Sequence, residues 1–145
     1  MSENPYDKII EYLFVGSARA LNTTDKFDMI VNCTKDSLIS FPDYCKNCIR
    51  IPVADDPQES ARFIELLNQT NILEKINNAI ENKENVLVHC FAGQQRSCAL
   101  VACYLIKYHN LGPGEAINYI RVKRRIAFFG EVNFISAIKN NNLRK

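Results

Sequence analysis

Cys90, Arg96 and Ser97 fall within one short stretch, Val88-His89-Cys90-Phe91-Ala92-Gly93-Gln94-Gln95-Arg96-Ser97. A thiol, a guanidinium, a hydroxyl and a glycine at that spacing suit nucleophilic attack on an anionic centre. The stretch runs from an apolar, strand-like segment into an apolar, helix-like one. A loop at such a junction can turn successive backbone N–H groups inward. The helix start adds its own unpaired N–H groups and the positive end of its dipole. Together these form a cradle for a dianion such as phosphate. Gly93 supplies the backbone angles and close approach that the cradle needs. The same field would hold the Cys90 sulfur as thiolate, the form that attacks. Arg96 offers a planar fork for two phosphate oxygens. Ser97 places a hydroxyl where it can stabilise the sulfur as a leaving group, and His89 is expected to orient the loop. Phe91, Ala92, Gly93, Gln94 and Gln95 are expected to bind the oxyanion. Taken singly, a buried Cys is commonly inert packing and an Arg a solvated charge. Their concentration at one strand–helix junction is what points to chemistry.

The elements that must position this loop are legible on both sides of it. Val86-Leu87-Val88 is an uninterrupted apolar run of the kind buried in a parallel sheet. From Ser97 to Tyr108 the pattern is helical and apolar almost all round, so that helix belongs in the interior. Leu13-Phe14-Val15 and Met29-Ile30-Val31 read as further strands, and Ile49-Arg50-Ile51-Pro52-Val53 as a short one. Phe63, Leu66, Leu67, Leu73, Ile76 and Ile80 recur at helical spacing and predict one long helix after a Ser60 cap. Pro113 opens another helix reaching about Arg124, and a last one covers the region of Phe134–Lys139. Strands alternating with helices predict an α/β fold: a central, mostly parallel sheet of four to five strands flanked by helices. Ligands of such sheets bind beyond the carboxyl ends of the strands, where the Cys90 loop lies.

Composition narrows the classes. The chain has 145 residues, 47% hydrophobic and 23% charged. That suits one globular domain spanning residues 1–145, and neither a disordered chain nor a coiled coil. The polar start Met1–Asp7 predicts no signal peptide, and no apolar run reaches the length of a membrane helix. The expectation is therefore a cytoplasmic protein with nuclear access. A net charge of +2 argues against a strongly basic nucleic-acid binder. Six cysteines without a secretory signal read as free thiols. Cys45-Lys46-Asn47-Cys48 lacks a second ligand pair at zinc spacing, so no metal and no cofactor are expected.

Expelling an alkoxide or phenolate calls for a proton donor opposite the nucleophile. Asp55 and Asp56, on the turn-rich loop at 54–60, are the candidates. A solvated loop carboxylate is the plainer reading of either one alone. Arg121, Lys123, Arg124 and Arg125 form a basic cluster, in the plainest reading a solvated face.

His89-Cys90, five residues, then Arg96-Ser97 resembles the C-x5-R phosphate loop of the protein tyrosine phosphatases. The remaining segments resemble the compact dual-specificity branch over nearly the whole chain. Leu13–Ser17 is similar to its first strand and turn, Ile30–Thr34 to its next core strand, and Ile51–Asp55 to the segment ending in its general acid. The resemblance implies hydrolysis of phosphotyrosine, phosphoserine and phosphothreonine in proteins through a phosphocysteine, without metal. It selects Asp55 as the acid, with Asp56 as runner-up, and suggests Arg125 as a second anion site. The absence of Trp and of extra segments implies a shallow pocket open to all three phosphoresidues.

Other readings stay within the same loop chemistry. Members of the superfamily also act on RNA 5′ ends, which the modest charge disfavours, and a phosphoresidue-binding pseudophosphatase is a further alternative. Neutral Gln94 and Gln95 argue against a lipid substrate. Gln95 stands where the branch often has a small residue. Gly130 and Glu131 stand near its usual Pro-Asn pair, so Glu131 lacks the amide that would brace the loop. Some members close a disulfide onto the nucleophile from the position of Cys33; packing is its plainer role.

Overall fold

The computed structural model describes residues 4–140 and 143. Five strands form one sheet: β1 (Tyr6–Ile10), β2 (Leu13–Gly16), β3 (Met29–Asn32), β4 (Asn47–Arg50) and β5 (Val86–His89), in the order β1-β2-β5-β3-β4. The β1/β2 edge pair is antiparallel and the remaining neighbours are parallel. All four residues of β5 are buried, as its apolar run requires of a central parallel strand. Its end is pinned on both sides. His89 pairs with Gly16 and Asn32, the Cys33 N–H donates to the His89 carbonyl, and the Cys90 N–H to the Gly16 carbonyl. The loop that follows therefore leaves the sheet from a fixed point.

The two faces of the sheet are covered differently. Leu13, Val15, Met29, Val31, Val86 and Val88 pack against helices α1 (Ser60–Thr70), α2 (Ile72–Glu81), α3 (Arg96–His109), α4 (Pro113–Lys123) and α5 (Ile135–Ile138). Ile30 and Leu87 instead meet Ala20 and Phe27, with Tyr6, Phe14, Phe41 and Tyr44 around them. The short 3-10 turn at Ala18–Asn22 lies on that side. Residues Ser97–Ile106 of α3 are all buried, in line with its apolar circumference.

Three local expectations need correction. The helix expected over Phe63–Ile80 is two, because Asn71 takes the left-handed conformation (φ 56°) between α1 and α2. Asn tolerates that region better than other non-glycine residues. The break moves the apolar stripe from Phe63, Leu66 and Leu67 onto Ile72, Leu73 and Ile76. The strand expected over Ile49–Val53 is Asn47–Arg50. The chain leaves the sheet in a tight turn at Pro52, where the Val53 N–H donates back to the Ile51 carbonyl. Strand β1 has no counterpart among the expectations, since Tyr6-Asp7-Lys8-Ile9-Ile10 alternates only weakly.

Candidate active site

The phosphate-binding loop expected between β5 and α3 is a run of bends from Phe91 to Gln95. Gly93 has φ +70°, and a Cβ there would stand 2.7 Å from the Gly16 backbone and 2.6 Å from Arg124 Nη2. Only glycine fits without strain. The turn at Gly93 points its N–H at Cys90 Sγ, 3.3 Å away, while Ser97 Oγ lies 3.2 Å from the same sulfur. Cys90 and Ser97 are buried. The sulfur thus sits beside the Gly93 N–H and the Ser97 hydroxyl at the start of a fourteen-residue helix.

Arg96, the first residue of α3, donates from Nη1 to the Val53 carbonyl (3.0 Å), while its buried Nε has no protein partner. No carboxylate pairs with it among the described residues. Its charge and its remaining N–H donors are left for an anion. Phe91 and Ala92 are exposed, at the rim of the loop rather than within it, and the Phe91 carbonyl accepts from the Ala18 N–H. The Gln94 carbonyl accepts from the Phe128 N–H at 2.6 Å. The Gln95 side chain is spent on the segment 129–133, donating from Nε2 to the Glu131 carbonyl (2.7 Å) and the Phe129 carbonyl (3.2 Å), and accepting at Oε1 from the Asn133 N–H (3.0 Å). Only its backbone is left to face an anion.

The remaining titratable groups of this layer are held neutral by burial. His89 has its pKa lowered to about 4, chiefly by desolvation. Its Nδ1–H can donate only to the Cys90 carbonyl (3.4 Å), so Nε2 is the bare nitrogen, and it has no partner. Burial pushes the Cys33 and Cys98 thiols up and Cys103 to about 12. All six cysteines are free. Cys45 and Cys48 hydrogen-bond to nearby carbonyls, and among the described residues no group of three or more His, Cys, Asp or Glu could hold a metal ion.

The structure separates the two acid candidates. Asp56 caps the short turn at Pro57–Glu59, its Oδ1 accepting from the Gln58 N–H at 2.9 Å. Asp55 is exposed, and its Oδ1 accepts from Asn133 Nδ2 at 2.8 Å. Glu59 steadies the segment by accepting from the Ala54 N–H. The Asp55 segment is tied to the Cys90 loop twice, directly through Val53 and Arg96 and indirectly through Asp55, Asn133 and Gln95.

The basic cluster is only partly a solvated face, which corrects that reading. Arg124 is buried. It donates from Nε to the Gly93 carbonyl (2.8 Å) and from Nη1 to Asn4 O (2.9 Å) and Asp7 Oδ2 (2.7 Å). It clamps the back of the phosphate loop to β1. Arg121 donates to the Ala127 and Phe128 carbonyls. Lys123 and Arg125 are exposed. The role of Arg124 had a signal in the sequence: Ile117, Ile120 and Arg124 share the i, i+3, i+7 stripe that faces the core. Nothing in the sequence marked Asn133.

The Cys90 sulfur, met by the Gly93 N–H and beside a guanidinium without a carboxylate partner among the described residues, lies at the end of the central strand of a mostly parallel sheet. The model of the dual specificity phosphatase catalytic domain matches residues 12–142, and the chain belongs to that family. It is 31% identical over 124 residues to the protein called "Putative tyrosine phosphatase 123R" of Invertebrate iridescent virus 6, covering 83% of this chain and 81% of that one. It is 30% identical over 99 residues to dual specificity protein phosphatase 14 of Mus musculus, covering 66% of this chain and 48% of that protein. The chain thus spans about half the length of the mouse relative. The fold is that of the human DUSP28 crystal structure, with a TM-score of 0.82 at 24% identity, covering 95% of this chain and 93% of that one. Among the described residues no helix is long and apolar enough to cross a membrane.

Proposed function

We propose that this chain hydrolyses phosphotyrosine, phosphoserine and phosphothreonine in proteins through a phosphocysteine intermediate. Cys90 Sγ attacks phosphorus and the P–O bond to the side chain breaks. Asp55 gives its proton to the departing oxygen. Arg96 and the loop amides hold the equatorial oxygens as charge builds on them. Water then attacks the phosphocysteine, giving a proton to the Asp55 carboxylate. The S–P bond breaks, and Ser97 Oγ and the Gly93 N–H receive the thiolate. No step calls on a metal ion, because the covalent sulfur and the cradle supply both nucleophile and charge stabilisation.

The observation that carries this reading is the pair of hydrogen-bond partners on Cys90 Sγ, the Gly93 N–H at 3.3 Å and the Ser97 hydroxyl at 3.2 Å, beside the unpaired Arg96 Nε. The test is hydrolysis of a phosphotyrosine and phosphothreonine peptide panel. Turnover should be sensitive to vanadate, insensitive to EDTA and lost in Cys90→Ser. Activity that survives Cys90→Ser, or that needs a divalent cation, sinks the reading.

A further inference from the structure

Gln95 spends its whole side-chain amide on one segment, residues 129–133, and that segment passes the constraint on to Asp55. Gln95 Oε1 takes the Asn133 N–H, Nε2 reaches the Phe129 and Glu131 carbonyls, and Asn133 Nδ2 donates to Asp55 Oδ1. The segment is anchored a second time by Phe128, a buried residue at φ 56° whose N–H donates to the Gln94 carbonyl. A bulky side chain in the left-handed region persists only where its surroundings enforce it. Two neighbouring residues of the phosphate loop therefore fix one short segment, and that segment fixes one carboxyl oxygen.

Asn133 Nδ2 can only donate. It therefore binds whichever oxygen of Asp55 carries no proton and leaves Oδ2 to hold the acidic hydrogen. We propose that Asn133, held by Gln95, is a positioning residue that sets which Asp55 oxygen gives and later receives the proton. In effect the loop that binds the phosphoryl group also aims the acid. The inference rests on the reading of Asp55 as the general acid.

The test uses leaving groups that differ in their need for a proton. Phenyl phosphate releases a phenol with a pKa of about 10 and needs an acid; an aryl phosphate with a strongly acidic phenol does not. Asn133→Ala should lower kcat on phenyl phosphate on the order of tenfold and spare the acidic ester, since general acids contribute about 10²–10⁴ and misalignment forfeits part of that. Inhibition by vanadate should be unchanged, because the cradle is not touched. Asp55→Asn should show the same selectivity with a larger loss, and the double variant should be no slower than Asp55→Asn alone. Gln95→Glu, which keeps the acceptor and removes the donors, should fall between Asn133→Ala and the parent.

Selectivity in Asp55→Asn without selectivity in Asn133→Ala overturns the positioning role alone. So does an equal loss on both esters in Asn133→Ala. No selectivity in Asp55→Asn overturns the acid assignment, and the positioning role falls with it.

Discussion

Arg96 and Arg124 flank the same loop and are used in opposite ways. Arg124, behind Gly93, is fully buried and has its charge met by Asp7 at 2.7 Å. Its remaining donors hold the Gly93 and Asn4 carbonyls, apart from an unpaired Nη2. Arg96, in front, holds one backbone carbonyl and meets no carboxylate among the described residues. Burying a charge demands a counter-charge or a ligand. The back of the loop satisfies that demand from within the protein. The front leaves it open among the described residues, which in the proposed reaction is where a dianion would bind. The difference separates what shapes the cradle from what the cradle binds.

The largest effect is expected behind the loop. Arg124→Ala leaves Asp7 and the Gly93 carbonyl without their donor, and breaking such a pair costs about 3–5 kcal/mol. Urea unfolding should show that loss, and Asp7→Asn should reproduce most of it. A loss below about 1 kcal/mol for both would mean that the clamp is not structural. In front of the loop, Arg96→Lys keeps the charge but loses the fork. It should lower kcat/KM by about 10²–10³ while the melting temperature stays near that of the parent. If Arg96→Lys mainly unfolded the protein, or Arg124→Ala mainly slowed it, the contrast between front and back would collapse.

What the sequence disclosed follows the same line. The strand-loop-helix around Cys90 was legible because Val86–Val88 and the Ser97–Tyr108 helix are apolar on every side and Gly93 falls between them. Local pattern and tertiary placement agree there. Arg124 is hidden within a cluster of four cations whose plainest reading is a solvated face, although its helical register with Ile117 and Ile120 points inward. That Asp56 caps its own turn while Asp55 meets Asn133 is not legible from two neighbouring residues of one type. Gln95, Asn133 and β1 act through partners 34 or more residues away or through edge pairing, so no local window carries them.

His89 offers a sharper test of the burial that this layer imposes. Its folded pKa is about 4 against 6.5 for the free imidazole. Between those values the unfolded chain binds a proton that the folded chain refuses, so stability falls as pH drops through that window. The full penalty, reached near the lower value, is roughly 3 kcal/mol. Urea unfolding of the parent and of His89→Leu at pH 7 and pH 4.5 isolates it, since the carboxylates titrate in both. The parent should lose more stability than the variant on acidification. Equal losses would mean that His89 takes up its proton in the fold.

The smallest effect is expected at Arg125, the cation left without a role behind the loop or in front of it. It is exposed, and no described residue pairs with its guanidinium. If it reads a second phosphate beside the pocket, Arg125→Ala should raise KM for a doubly phosphorylated peptide by up to about fivefold, the worth of an exposed ion pair of about 1 kcal/mol. A singly phosphorylated peptide of the same sequence should be affected less, and added salt should erase the difference, because exposed charges are screened within a Debye length. An equal change on both peptides would assign Arg125 to the solvated surface with Lys123, leaving Arg96 as the cation this chain holds ready for phosphate.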